Sequence, residues 1–258
     1  MKFDFIIGID QTGATTAKGI PKPLTCSLID NRKQQSPKNH FELRIKSLTE
    51  KEIYNLIQNH TDLDFEAITK LKILIVVDAV LGLPQSCKIK MHKILTAVKD
   101  YEFNNKAYGA KTAFQFFNSF SKDLKNPERT VEVLTKANSV FNLHPFQKNI
   151  GCGTYRILKD LSLDTTWYQI WCHQPTNSKT NVVIAEGYPS FYWKVWLKNS
   201  QRQNNWKNHK FNNQDSADSF VLAYAGLKFS KTNDFWNIKI PRKIKNEGWI
   251  LGVPWKIT

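Results

Sequence analysis

The hydrophobic pattern of this chain consists of short apolar runs that stop at polar or turn-forming residues. Residues 3–9 are nearly all apolar and stop at Asp10, and residues 71–77 form the most hydrophobic stretch and stop at Asp78. Runs of this length are typical of buried strands. The same pattern predicts strands at 24–30 and 181–186, and a short edge strand at 247–254.

Residues 41–48 differ, because apolar and polar side chains alternate strictly along them. Phe41, Leu43 and Ile45 share one face of the predicted strand, and charged residues occupy the other. A strand with one wet face is expected in an antiparallel arrangement. The first three strands are therefore predicted to form a meander, which later strands join through crossovers.

Helical spacing of apolar residues begins after the meander. Thr49 and Glu52 form a capping-box pattern, which predicts a helix that starts at Thr49. Residues 85–165 are mostly helical in pattern, and a last helix is predicted to begin near Asp215. The helices expected within residues 85–165 are 88–100, 107–124 and 153–161. Arg156, in the third of these, is expected to be exposed.

This order of elements predicts a single α/β domain over residues 1–258. Its mixed sheet would carry helices on its faces, with a mostly helical insertion around residues 85–165 before the last core strand.

Charge and composition narrow the choice of partners. The chain has 37 Lys and Arg against 22 Asp and Glu, a net charge of +15, which favours an anionic partner and nucleic acid first. Lys and Asn are frequent throughout, so an AT-rich coding sequence is the competing explanation of the charge. No apolar run reaches the roughly 20 residues of a membrane-spanning helix, and the acidic N-terminal run does not fit a signal peptide. We expect a soluble cytoplasmic protein without a membrane partner.

Three of the predicted buried strands end in a carboxylate. These are Asp10, Asp78 and Glu186, and strands that run parallel would bring them to one edge of the sheet. An acid after a single strand is often only a turn former, but three such positions favour a common site. Crowded carboxylates need a cation or shared protons, and oxygen ligands without Cys or His indicate Mg²⁺ or Mn²⁺.

Two more acids lie in the predicted last helix. Asp215 and Asp218 are three residues apart and so lie on the same turn. Asp218 sits beside the apolar stripe of this helix, where a solvated acid is not expected, and this favours a functional role. Asp215 has the simpler alternative of capping the helix.

The sequence around these acids resembles a known family. The matching blocks occur in order at residues 7–10, 76–84, 186–191, 215–223 and 247–250. Together they resemble the uncharacterised family numbered 429 among the domains of unknown function, whose members are predicted nucleases of ribonuclease H-like fold. The resemblance spans most of the chain, in blocks separated by unmatched sequence.

The resemblance implies a site for two metal ions, Mg²⁺ or Mn²⁺. In the wider ribonuclease H-like superfamily, acids on the first strand, the fourth strand and the last helix hold the ions. These positions correspond here to Asp10, Asp78 and Asp218. Glu186 or Asp215 would complete the ligand set.

The chain departs from the family pattern at three positions near these acids. Val80, Ser190 and Gln214 stand where the family commonly has Pro, Glu and His. None of the three is a proposed metal ligand, so the departures leave open only the residues that transfer protons.

The candidate nucleic-acid contacts are basic or aromatic. Residues 10–18 also resemble the first phosphate loop of actin-like sugar kinases, in which Lys18 would assist phosphate binding. Residues 190–198 interleave aromatics and lysines and are better explained as an amphipathic helix, whereas 202–210 fit a helix and a base-stacking surface equally well. The predicted contacts are Lys18, Lys198, Arg202, Trp206, Lys207 and Lys210.

The expected function is metal-dependent hydrolysis of phosphodiester bonds in a nucleic acid. Two alternatives stay open. One is a non-catalytic nucleic-acid-binding module of the same fold, and the other is an actin-like ATP-dependent phosphotransferase. The second lacks support from a second phosphate loop or from two similar halves.

Overall fold

The computed structural model describes residues 2–11, 15–16, 19–33, 43–121, 127–142, 150–173, 180–197, 211, 213–232, 240–241 and 244–254. Six predicted nucleic-acid contacts lie outside the described residues: Lys18, Lys198, Arg202, Trp206, Lys207 and Lys210. Within the described ranges, no helix is long and apolar enough to cross a membrane.

In the described part of the chain, one mixed sheet of six strands forms the centre of the fold. The strands are β1 (Phe5–Asp10), β2 (Leu24–Asp30), β3 (Leu43–Ile45), β4 (Ile73–Val77), β5 (Tyr168–Ile170) and β6 (Val182–Glu186). Their order across the sheet is β3-β2-β1-β4-β6-β5. The first three strands pair antiparallel, whereas β4, β6 and β5 run parallel to β1. The predictions of an α/β fold, an N-terminal meander and parallel crossovers are confirmed.

The three central strands explain why their sequences are continuously apolar. Every residue of β1, β4 and β6 is buried, because each strand has a neighbour on both sides and covered faces. β3 lies at the edge of the sheet and keeps the predicted alternation, with Arg44 exposed between buried Leu43 and Ile45. The pattern of burial therefore follows the position of each strand in the sheet.

Helices cover both faces of the sheet. They are α1 (Glu50–Gln58), α2 (Phe65–Thr69), α3 (Met91–Lys99), α4 (Ala110–Asn118), α5 (Thr130–Thr135), α6 (Ile150–Leu163), α7 (Pro189–Leu197) and α8 (Gln214–Phe229). Buried side chains of α1, α3, α4 and α6 form one core with one face of the sheet. The other face packs against α7, α8 and the segment around Trp249, which is almost fully buried.

Two edge elements differ from the sequence prediction. β5 is not predicted, because it has three residues with the polar Gln169 at its centre and pairs on one side only, with β6. The predicted strand at 247–254 is reduced to one bridge between Ile250 and Glu186, preceded by a 3₁₀ turn, Lys245–Glu247. Short elements of this kind carry too little apolar periodicity to be recognised.

The start of α1 differs from the sequence prediction. Thr49 stands at the N-cap of α1 but makes no side-chain cap hydrogen bond, and the predicted capping box is wrong. The Glu52 carboxylate instead accepts a 2.9 Å hydrogen bond from the Lys46 backbone N–H, which fixes the turn between β3 and α1.

The start of α8 is capped by Asn213. Its side chain accepts a 2.9 Å hydrogen bond from the Ser216 backbone N–H. Asp215 lies in the first turn of the helix and is not its cap. The simpler explanation of Asp215 as a capping residue is therefore removed.

Arg156 corrects the expectation of an exposed side chain. It is buried in α6 and donates hydrogen bonds to the backbone carbonyls of Lys22 and Lys46, the latter at 2.7 Å. The arginine therefore ties α6 to the segments that flank β2 and β3. A pattern of helical spacing could not reveal this, because both acceptors are backbone groups far away in sequence.

Candidate active site

The sheet register places two aspartates side by side. Ile9 pairs with Val77 in the parallel ladder of β1 and β4, so Asp10 and Asp78 occupy the next step at the carboxyl ends of these strands. The Asp78 backbone N–H donates a 2.9 Å hydrogen bond to the Ile9 carbonyl. Val77 pairs in turn with Glu186 at the end of β6, so all three predicted strand-end acids share one edge of the sheet.

Helix α8 brings a further acid to this edge. The helix packs on β1 at Gly8, where an added Cβ would overlap the Ser219 carbonyl and the Ala223 backbone nitrogen. Glycine at this position therefore permits the helix backbone to approach the strand closely. Asp218 precedes Ser219, so this close approach holds its carboxylate above the end of β1.

A pocket of about 330 Å³ opens at this edge of the sheet. Asp78, Asp218 and Glu186 line it together with Gln11 and Arg129. Tyr188, Pro189 and Ser190 line it from the turn that leads into α7, and Ala137, Asn138 and Ile150 from the helical segment between β4 and β5. Asp10 is only 6% exposed and lies behind these side chains.

The aspartates raise one another's pKa values. Burial raises the pKa of Asp10 to about 9, with further contributions from the charges of Asp78, Asp218 and Asp215, in that order. Burial also raises the pKa of Asp78 to about 7, with contributions from Asp218 and Glu186. These mutual effects require short distances through a medium of low polarity. The four aspartates therefore form one electrostatic cluster.

Asp218 is oriented by two side-chain donors. Its Oδ1 accepts a 2.6 Å hydrogen bond from Trp193 Nε1, and its Oδ2 accepts one of 3.3 Å from Gln214 Nε2. Burial raises the pKa of Asp218, and these two hydrogen bonds oppose the rise. Trp193 was predicted only as part of an amphipathic helix, and its indole N–H gives it this additional role.

Glu186 has a different environment from the aspartates. Arg129 contacts both of its oxygens, with Nη2 2.5 Å from Oε1 and Nη1 2.8 Å from Oε2. Oε2 also accepts a 2.9 Å hydrogen bond from the Leu81 backbone N–H. The Glu186 carboxylate is thus neutralised within the protein, at the wall of the pocket.

Arg129 is the centre of a buried network and is 1% exposed. Besides Glu186, its Nε contacts Glu132 Oε1 at 2.7 Å and its Nη1 donates to the Glu247 carbonyl at 3.0 Å. The Glu247 carboxylate accepts hydrogen bonds from the backbone N–H groups of Gln85 and Thr130. The sequence hinted at this network only through the spacing of three residues between Arg129 and Glu132.

The aspartate cluster has no comparable cation. None of the salt bridges formed by described residues involves Asp10, Asp78, Asp215 or Asp218. No group of three or more His, Cys, Asp or Glu side chains among the described residues is already arranged to hold a metal ion. The donor set nonetheless fits a hard divalent cation in its chemistry, because it consists of carboxylate oxygens that lack a positive partner.

Comparisons with protein-family models, with curated proteins and with solved structures found no match to this chain.

Proposed function

We propose that this chain is a metal-dependent nuclease with a ribonuclease H-like fold. The observation that carries the proposal is the cluster of Asp10, Asp78 and Asp218, delivered by two central strands and one helix to one pocket without a cation. Buried acids that repel one another are costly unless they bind a cation or serve catalysis, so such clusters are typical of functional sites.

The strand order supports the fold assignment. The antiparallel meander of β1, β2 and β3 is followed by two parallel strands added on the other side of β1. This is the mixed sheet expected from the sequence resemblance. The acids expected on the first strand, the fourth strand and the last helix correspond to Asp10, Asp78 and Asp218.

Asp10, Asp78 and Asp218 are the residues that would hold Mg²⁺ or Mn²⁺. When bound, divalent ions would activate water for attack and stabilise the negative charge that develops at phosphorus. Asp215 is the further acid nearest to this set in electrostatic effect, because it raises the pKa values of Asp10 and Asp218. Glu186 keeps Arg129 as its partner in this proposal and shapes the wall of the pocket.

The remaining side chains prepare the site. Trp193 and Gln214 hold the Asp218 carboxylate in one orientation. The net charge of +15 supports an anionic substrate such as nucleic acid, whose phosphates attract lysine and arginine.

A matched pair of variants tests the proposal. Purified wild type is incubated with single-stranded DNA, duplex DNA, RNA and a DNA–RNA hybrid, with Mg²⁺, with Mn²⁺ or with a chelator. We expect cleavage that requires the divalent ion and that Asp78→Asn abolishes. Asp62→Asn makes the same chemical change at an exposed position far from the pocket, and it should cleave like wild type.

Two results would contradict this proposal. Cleavage that persists in chelator, or in Asp78→Asn, would show that the aspartate cluster is not responsible. Salt-sensitive binding of the oligonucleotides without turnover would instead indicate a non-catalytic nucleic-acid-binding module.

A further inference from the structure

Gln11 is a buried polar residue of the pocket that the carboxylate cluster does not explain. It directly follows Asp10, is 8% exposed and lines the same pocket as Asp78 and Asp218. Its Oε1 is buried and has no hydrogen-bond partner among the described residues. A buried amide oxygen without a partner is costly, and such an atom in a native pocket calls for an explanation.

Gly153 in α6 provides the space for this side chain. A Cβ added at Gly153 would overlap Oε1, Cδ and Nε2 of Gln11. Glycine weakens a helix, so its presence in the first turns of α6 has a cost that the seating of Gln11 offsets. Thr154 fixes the next position, because its Oγ1 accepts a 3.0 Å hydrogen bond from the Val80 backbone N–H, two residues after Asp78.

The chemistry of the free atom restricts its ligand. An amide oxygen accepts hydrogen bonds, whereas the ionised carboxylates around the pocket and the oxygens of a phosphodiester also only accept. None of these groups can satisfy Gln11 Oε1. A water molecule can, because it donates two hydrogen bonds and fits a polar pocket.

We propose that Gln11 positions the water that attacks the phosphodiester, an inference that rests on the proposed nuclease function. Water oxygen forms the new bond to phosphorus while the bond from phosphorus to the leaving oxygen breaks. One water proton passes to solvent, and the leaving oxygen takes a proton from solvent. Gln11 keeps its own protons throughout, because a carboxamide is not a base at neutral pH. Its contribution is the orientation of the water.

Gln11→Met tests this role, because it keeps the length of the side chain and removes the amide. We expect kcat on the cleaved oligonucleotide to fall about 10- to 100-fold, as for a misplaced reacting group. KM and the affinity for Mn²⁺ should stay near wild-type values, since the aspartates are unchanged. Gln58→Met, at an exposed position at the end of α1, is the matched control and should leave kcat unchanged.

Gly153→Ala tests the same role without altering Gln11. The added methyl group displaces the carboxamide, so kcat should fall as in Gln11→Met, and the double variant should be no slower than the slower single variant. The melting temperature provides a second measurement. Gly153→Ala should lower it in wild type but raise it in Gln11→Ala, where the space is free.

Two outcomes would overturn the inference. An unchanged kcat in Gln11→Met would show that the side chain only fills space over Gly153. A loss of Mn²⁺ affinity as large as that of Asp78→Asn would show that Gln11 binds the metal directly and does not hold a water.

A measurement without turnover separates this inference from the proposed function. The side-chain amide signal of Gln11 in ¹⁵N-labelled protein, assigned by its loss in Gln11→Met, should shift when Mg²⁺ is added. Bound Mg²⁺ without such a shift overturns the role of Gln11, even if the protein cleaves nucleic acid. A clear shift in a protein that cleaves none of the substrates upholds Gln11 as a site residue and overturns the nuclease proposal.

Discussion

Buried acids form two groups on either side of one pocket, and their surroundings differ in kind. Glu186 and Glu132 share the guanidinium of Arg129, and Glu247 accepts hydrogen bonds from two backbone N–H groups. Asp10, Asp78 and Asp218 have one another as neighbours and no cation among the described residues. The glutamate group is complete within the protein, whereas the aspartate group needs a positive charge from elsewhere.

The difference teaches which acids to assign to structure and which to chemistry. All of them are acidic, and most are hidden from solvent, so burial alone would not separate them. The presence of an internal cation does. A charge with a buried partner destabilises the protein when the partner is removed, but a charge that repels its neighbours should do the opposite.

The largest effect should come from Arg129→Met. This change keeps most of the side-chain volume but leaves Glu186 and Glu132 buried without a cation, and we expect a loss of about 3–5 kcal/mol in the free energy of unfolding. Urea denaturation measures it. Arg32→Met is the control, because Arg32 pairs with Asp30 nearer the surface and should cost about 1 kcal/mol or less. Equal losses in the two variants would remove the distinction between the groups.

The pH dependence of metal-free stability should report the aspartate group. Asp10 and Asp78 have pKa values of about 9 and about 7 in the folded protein, above the ordinary value of 3.8. The folded state therefore binds more protons than the unfolded state from about pH 4 upwards, and stability falls as the pH rises. The slope can reach about 1.4 kcal/mol per pH unit for each proton.

Urea denaturation in a chelator at pH 5, 7 and 9 measures this slope. Asp10→Asn should flatten it most between pH 7 and 9, where Asp78 has already lost its proton. Asp62→Asn at the surface should follow wild type. Stability that rises with pH over this interval would contradict the raised pKa of Asp10.

Matched carboxylate-to-amide changes give the smallest effect but the sharpest contrast. Glu186→Gln weakens the contact with Arg129 and should lose about 1–3 kcal/mol, as expected for a buried charged hydrogen bond. Asp78→Asn removes repulsion and should leave metal-free stability unchanged or raised. Mg²⁺ or Mn²⁺ should raise the melting temperature of wild type more than that of Asp78→Asn. A destabilised Asp78→Asn protein with no differential metal effect would assign Asp78 to structure.

The sequence predicted the parts of the fold that hydrophobicity controls. β1, β4 and β6 are buried on all sides, so they are continuous apolar runs, and their last residues could be read directly as candidate site acids. β5 is short and polar at its centre, and it was missed. The periodicity of apolar residues therefore found the interior of the sheet and lost one of its edges.

The partners of the acids could not be predicted in the same way. Arg129 lies 57 residues from Glu186 in sequence, and nothing in the spacing of either residue indicates their contact. Gln11 appeared only as part of a turn, because its significance depends on Gly153 in a distant helix. Strand patterns locate acids along the chain, but only the tertiary packing shows whether each acid has a cation.

The arginine network also has a consequence for the order of folding. Arg129 contacts Glu186 and the Glu247 carbonyl, which lie 57 and 118 residues further along the chain. Closing loops of this length costs chain entropy before any contact compensates it, so such contacts tend to form late. The β1–β2 hairpin and the helices between β4 and β5 can therefore collapse before this wall of the pocket exists. We expect the site to be the last region of the protein to gain protection from hydrogen exchange during refolding.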